Sequence, residues 1–348
     1  MPSDMSRIFT KGYVVYLLGV VLVLGGAGWW VNRRMHPLTI EDMARADYKD
    51  DGQSLIRKID QDGVLHDLRP NTHKDHQGVQ YATNGDGMRD DHEYALEKTP
   101  GRRRLMFVGD SFTFGWGLEL EYTFVKQVER LLGPGQWEVL NLGVPGFTTI
   151  DEVTHFKQKG LKYHPDVVFL MYHFNDTLSG GDTPLGDSPQ TLKTLVDYYK
   201  GDGTPEERAR VETYLRAHGW PLDPPWNPKG MSWRNLSYVV TNYLPLYADR
   251  TEQALAGLEA LAAAYHFRVI VGIIPEIDQE WATYPFDDLH QRVRAQMERH
   301  HFRVVDLKPI LQRFPNKELM LWGTNGHTSA YANRIIAQVL VAELTGRN

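Results

Sequence analysis

The chain reads as an α/β protein, a doubly wound sandwich around a five-stranded parallel sheet, and three features predict it. From Arg104 onward short apolar runs alternate with stretches of helical period, and the central runs are apolar on every residue instead of on alternate ones. One such run ends abruptly in Gly109-Asp110-Ser111. Strands buried on both faces belong to parallel sheets covered by helices on each side. A polar turn directly after such a strand lies at the carboxyl edge of the sheet, where open α/β sheets bind ligands.

Taken in order, the strands are expected at Leu105 to Val108, Trp137 to Asn141, Val167 to Met171, Arg268 to Ile274 and Arg303 to Val305. Helices are expected at about Glu121 to Leu132, Ile150 to Lys159, Glu252 to Tyr265, Asp287 to His300 and Ser329 to Leu344. Between the third and fourth strands, residues from about 177 to 248 exceed a simple crossover and predict a helical and loop insertion. Within it, Thr204-Pro205-Glu206-Glu207 offers a Thr N-cap, Pro at N1 and Glu at N3, so a helix begins there and stops near Gly219. Trp220, Trp226 and Trp233 follow among several prolines. They form either an aromatic lid able to stack on substrate rings or the packing that fixes the insertion to the core.

Upstream of this main domain, residues 101–348, the chain divides into a short tail (1–12), an apolar span (13–31) and a polar stretch (32–100) read as a stalk and irregular apron. Tyr13 to Val31 carries no charge and ends in Trp29-Trp30, as a membrane helix with an interfacial aromatic pair does. A cleaved signal peptide competes, with a small-residue site at Gly25-Gly26-Ala27-Gly28, but the apolar run is longer than a usual signal core. Arg7 and Lys11 before the span and Arg33 and Arg34 after it leave orientation undecided by charge.

A chain of 348 residues, 42% hydrophobic, has room for one large domain with embellishments. Its net charge of -6, with no long basic run, argues against nucleic acid as a partner. With no cysteine there is no disulfide, thiolate zinc site or cysteine nucleophile. His73 and His76 have helix-like metal spacing but lie in a polar segment with poor helix signal, so they read as a solvated loop. No metal or cofactor is expected. Asp306, after the last strand, reads as a helix cap.

Ser111 is a nucleophile or an N-cap, and its own neighbourhood does not separate the two. A nucleophile needs a base, an oxyanion hole and a group that orients the base. The second strand ends in Asn141-Leu142-Gly143-Val144-Pro145-Gly146, whose glycines leave backbone N–H groups open to a ligand. The third ends in Tyr172-His173-Phe174-Asn175-Asp176, where an amide side chain donates to the same oxyanion. His327 lies in a polar loop directly before the last helix.

Gly109-Asp110-Ser111, Gly143, Asn175-Asp176 and His327 resemble, in order, the four blocks of the SGNH (GDSL) hydrolase superfamily over roughly residues 80 to 345. Asn84-Gly85-Asp86-Gly87-Met88-Arg89 is similar to a stretch that precedes the first block in longer, membrane-anchored members. The resemblance implies a flavodoxin-like three-layer α/β/α sandwich, Ser111 as nucleophile, His327 as base, and an oxyanion hole from Ser111, Gly143 and Asn175. The family usually carries Asp two or three residues before the histidine, where this chain has Asn325 and Thr324. Three readings follow: Asn325 or a backbone carbonyl orients His327, a carboxylate comes from elsewhere, or the site binds without turnover. His173 also replaces a glycine common in the third block and is a candidate to line the substrate pocket.

The function expected from this resemblance is a membrane-anchored serine esterase. It removes acetyl or other acyl groups from an extracytoplasmic polysaccharide or envelope glycan through an acyl-enzyme on Ser111. Anchored relatives of this shape often work beside an integral-membrane acyltransferase partner, so transfer of the acyl group to a glycan hydroxyl is the alternative. An inactive glycan-binding or assembly protein is the second.

Overall fold

The computed structural model describes residues 54–61, 64–76, 78–177, 189–217, 219–243, 245–321 and 326–346. The apolar span expected at residues 13–31 lies outside them, and among the described residues no helix is long and apolar enough to cross a membrane. The polar stretch before the main domain is less irregular than expected. Strand β1 (Ile56–Gln61) pairs antiparallel with β2 (Val64–Leu68), and β3 (His73–His76) pairs with β4 (Val79–Ala82). His73 and His76 therefore lie on a strand instead of a loop, and residues three apart on a strand point to opposite faces, so they share no side for a metal.

The main sheet holds β5 (Arg103–Gly109), β6 (Trp137–Asn141), β7 (Val167–Tyr172), β8 (Arg268–Ile273) and β9 (Arg303–Asp306), all parallel, in the order β6-β5-β7-β8-β9. Counted by appearance within this sheet, the order is 2-1-3-4-5, the flavodoxin-like arrangement, whose switch point falls between β5 and β7. Every residue of β7 is buried, as a strand covered on both faces requires.

The helices sort onto the two faces. In chain order they are α1 (Ser111–Phe114), α2 (Phe124–Leu132), α3 (Thr149–His155), α4 (Pro189–Lys200), α5 (Pro205–Ala217), α6 (Trp233–Tyr243), α7 (Pro245–Tyr265), α8 (Asp287–Arg299), α9 (Lys308–Leu311), α10 (Asn316–Leu319) and α11 (Ala330–Thr345). Leu105 and Phe107 of β5 and Val167, Phe169 and Met171 of β7 pack with α2 and α11 in one core. Met106, Val108, Val168, Leu170 and Tyr172 pack with α3, α7 and α8 in the other. Successive strand residues thus serve opposite layers, and each fully buried side chain contributes roughly 1.5–3 kcal/mol. The helix expected through Lys159 gives way after His155 to a wide turn, Phe156–Gly160. Asp306 is not itself the cap of α9, which is Leu307; standing one residue ahead, it accepts from Lys308 N (3.0 Å) and faces His290 Nδ1 (3.0 Å).

The insertion has a small core of its own from Leu195, Val196 and Tyr199 of α4, Val211 and Leu215 of α5, Trp220, and Leu236 and Val240 of α6. Two of the three tryptophans are used in packing. Trp220 is buried against the Tyr214 ring, and Trp226 lies between Tyr199 and Tyr243 (ring centroids 5.3 and 4.9 Å). Trp226 stays half-buried, and Trp233, 43% exposed, is the most open of the three. Trp220 as a substrate platform is therefore corrected: its ring has no solvent side.

Two buried arginines fasten the segment before β5 to the sheet. Arg104, at the start of β5, donates to the carbonyls of Ala95, Leu96, Glu97 and Tyr163 and to Glu138 Oε2 (2.6 Å). Arg89 stacks on Tyr81 and Phe114 and donates to the carbonyl oxygens of Phe114 (2.8 Å), Gly115 (2.5 Å) and Leu118. Its guanidinium satisfies the carboxyl end of α1, whose terminal carbonyls lack intrahelical donors. Asn84 sets up this approach by accepting from Asp86 N and Met88 N. Arg89→Met leaves these buried carbonyls unsatisfied. It is expected to lower unfolding stability by about 3 kcal/mol in denaturant melts; a variant as stable as the wild type contradicts this role.

Candidate active site

Gly109, the last residue of β5, leaves no room for a side chain: a Cβ there would sit 2.0 Å from Thr113 Oγ1. The chain can therefore turn from strand into α1 within one residue. Asp110 is the cap of that helix, its Oδ1 accepting from Phe112 N at 2.9 Å. The capping role that competed for Ser111 thus belongs to its neighbour. Ser111 is the first helical residue, and its own N–H, like others in a first turn, has no intrahelical acceptor.

The loop between α10 and α11 brings His327 to the same edge. An isolated bridge between Met320 and Thr328 and the cap of α11 by Ser329 fix that loop on either side. His327 Nε2 lies 2.8 Å from Ser111 Oγ, across 216 residues of sequence. The imidazole stacks on Phe112 (4.8 Å, 23°). Its pKa is pushed down to about 3 by burial and by the positive charges of His173 and Arg234, against the pull of Glu276. The ring is therefore neutral at pH 7 and able to accept a proton. Its Nδ1 has no hydrogen-bond partner among the described residues. Asn325 and Thr324, the positions weighed for the group that orients it, lie outside those residues. Asp278 approaches from the loop after β8: a Cβ on Gly326 would lie 3.6 Å from Asp278 Cγ.

Two expectations for this pocket need correction. Gly143 does not offer an open amide, because its N–H donates to Asn141 Oδ1 (2.9 Å). What Gly143 supplies is closeness, since a Cβ there would sit 2.4 Å from Phe114 N. Gly146, the last glycine of that loop, has φ 80°, and its N–H is bonded to nothing among the described residues. The first hairpin holds this loop in place through His66 Nε2 and Pro145 O (2.9 Å). His173 does not line the pocket either. It is 1% exposed, stacked on Phe112 (4.4 Å, 25°), and belongs to the layer beneath.

Asn175 sits in the turn Phe174–Thr177 directly after β7. Its Oδ1 faces His173 Nδ1 at 2.7 Å, and its Nδ2 donates to Asp110 Oδ2 at 3.1 Å, leaving one amide hydrogen uncommitted. Behind it, His173 Nε2 is 2.8 Å from Glu276 Oε1, an ion-pair contact off the line of a straight hydrogen bond. Glu276 Oε2 receives Arg234 (2.9 Å), which also holds Asp278 (3.1 Å). Although burial works to raise it, the charges of His173 and Arg234 hold the Glu276 carboxyl at about 2. Sequence reasoning named neither Glu276 nor Arg234, because neither falls in a recognisable block.

Asp90, Asp91 and His92 also converge, but Lys126 Nζ already lies 2.7 Å from Asp90 and 3.4 Å from Asp91. An ammonium thus occupies the place a cation would take.

No match is found among curated proteins. Solved structures similar to the chain include a lipolytic protein of the G-D-S-L family from Veillonella parvula (15% identity over 70% of this chain and 98% of that one, TM-score 0.42). Others are a lipase/acylhydrolase from Enterococcus faecalis (16%, 70% and 96%, 0.41) and an acetylxylan esterase from Geobacillus stearothermophilus (17%, 71% and 96%, 0.42). Likeness at this level says nothing about substrate. The model of the GDSL-like lipase/acylhydrolase family, however, matches residues 107–335, which include Ser111, Asn175 and His327. The chain belongs to that family and is a serine hydrolase acting on ester bonds.

Proposed function

We propose that the protein is a membrane-anchored esterase that removes acetyl groups from a glycan outside the cytoplasm, with Ser111 as its nucleophile. The observation that carries this reading is the 2.8 Å contact between Ser111 Oγ and His327 Nε2 at the carboxyl edge of the sheet. As Ser111 Oγ attacks the ester carbonyl, its proton passes to His327 Nε2 and the carbonyl electrons move onto oxygen. The oxyanion lies against the Ser111 N–H and the remaining Asn175 amide hydrogen. Its collapse breaks the ester C–O bond, and the departing sugar oxygen takes the proton from His327. Water then attacks the acetyl-serine, giving its proton to His327, and acetate leaves as Ser111 recovers a hydrogen.

Two further observations support the finer parts. The uncharged run Tyr13 to Val31 suits an anchor. A groove of about 430 Å³ between the insertion and α8 is lined by Trp226, Lys229, Tyr243 and Asp288, rings beside charged groups that suit a sugar.

With p-nitrophenyl acetate and an O-acetylated oligosaccharide as substrates, Ser111→Ala is expected to lower kcat by about 10⁴-fold or more while the protein stays folded. Wild-type turnover in that variant contradicts the nucleophile. Labelled acetyl appearing on an added sugar acceptor, instead of as acetate, would make the same intermediate that of an acyltransferase. The pH profile has a definite sign. His327 acts as base only when unprotonated, and its lowered pKa keeps it so well below pH 6.5. Loss of kcat/KM through His327 is therefore expected only as the pH falls toward about 3, and an acid limb centred near 6.5 that His327→Ala removes contradicts this.

A further inference from the structure

Beneath the pocket a chain of polar contacts runs from the insertion to the turn before Ser111: Arg234, Glu276, His173, Asn175, Asp110. We infer that His173 is held as an imidazolium protonated on both nitrogens, and that it is a positioning residue which fixes the Asn175 amide for the oxyanion. The inference rests on Ser111 being the nucleophile.

The argument is one of donors and acceptors. Two Asn175 groups face His173 Nδ1, the backbone N–H at 3.4 Å, which only donates, and Oδ1 at 2.7 Å, which only accepts; the much shorter contact assigns the hydrogen to Nδ1. Glu276 Oε1, at 2.8 Å from Nε2, belongs to a carboxylate that Arg234 keeps ionised, so Nε2 carries one as well. Asp110 fixes the sense of the amide, because Asn175 Nδ2 donates to its Oδ2. If His173 lost its Nδ1 proton, two lone pairs would face each other across 2.7 Å and the amide would turn. Its uncommitted N–H would then leave the oxyanion position.

Charged and titratable groups reach His173 from every side. Glu276 and, beyond it, Asp278 come from the loop after β8; Arg234 and Tyr238 come from α6, the Tyr238 ring at 6.0 Å. Asp110 stands at the end of β5, and His327 shares the Phe112 ring. Asp176 accepts from the His173 backbone N–H (3.0 Å), and Glu152 of α3 is buried behind Asp176 and Asp110. Burial opposes the charged ring, but Glu276, Asp110 and Asn175 outweigh it, so the His173 pKa is raised above its ordinary 6.5. The competent form is the cation, and activity is therefore lost as pH rises through that raised value. Arg234 extends the chain to the insertion, which thereby takes part in setting the oxyanion hole.

The test uses the full chain and p-nitrophenyl acetate across neutral and alkaline pH. Glu276→Gln removes the charge partner and leaves burial unopposed, so the alkaline limb of kcat is expected to move to lower pH by about one unit or more. At pH 8, kcat is expected to fall about 100-fold with KM nearly unchanged, and Glu276→Asp to restore much of it. A Glu276→Gln profile that overlays the wild type overturns the inference. Should that variant not fold, ¹⁵N NMR of the wild-type histidines at pH 7 decides: both His173 ring nitrogens protonated supports the inference, and a neutral ring overturns it. Turnover that survives in Ser111→Ala defeats the nucleophile and this inference with it. Turnover lost there, with an unshifted Glu276→Gln profile, defeats the inference alone.

Discussion

Much of this molecule is arranged around one hydrogen bond, from Ser111 Oγ to His327 Nε2, between residues 216 positions apart. Neither partner can be brought there by local structure. Ser111 is delivered by the end of β5, the strand beside the switch point, and His327 by the loop that α11 follows. The sheet order places both on one edge. Gly109 lets the chain turn without delay, and Asp110 caps α1 so that the serine hydroxyl is left for chemistry. Arg89, from a segment outside the main sheet, holds the other end of the same helix.

The second constraint is electrostatic. Glu276 and His173 are each 1% exposed, in surroundings where an unmatched charge is costly. Each charge is answered in turn by the next residue along the chain from Arg234 to Asp110. At the pocket, burial first and then the charges of His173 and Arg234 keep His327 neutral, against the pull of Glu276. The same surroundings make the imidazolium on His327 harder to form. A group bonding its Nδ1 would ease that step.

The sequence made some of this legible because the signals were local and strong. Val167 to Met171 is an unbroken apolar run, and β7 occupies those residues and Tyr172. Ser111 and His327 stand out as polar residues at the ends of elements. Other features left weaker traces. The hairpins β1–β2 and β3–β4 are short and polar, without the alternation that marks a half-buried strand. His173 read as a pocket residue because its position after β7 was plain while its burial was not. Gly143 read as an open amide because glycine identity does not reveal which N–H is already bonded, here to Asn141 Oδ1. Arg89 could be quoted within a motif but given no task, since its partners are backbone carbonyls, which carry no residue-type signal. The pairing of Glu276 with His173 depends on β8 lying beside β7, a tertiary fact.

A folded serine hydrolase with a neutral histidine on its nucleophile should react with a serine-directed phosphonate. Mass spectrometry of the full-length protein after such treatment should find one adduct, on Ser111, absent in Ser111→Ala and strongly slowed in His327→Ala. A folded wild-type protein that remains unlabelled, or that is labelled at another serine, would contradict the assignment of Ser111 and His327 as the reacting pair.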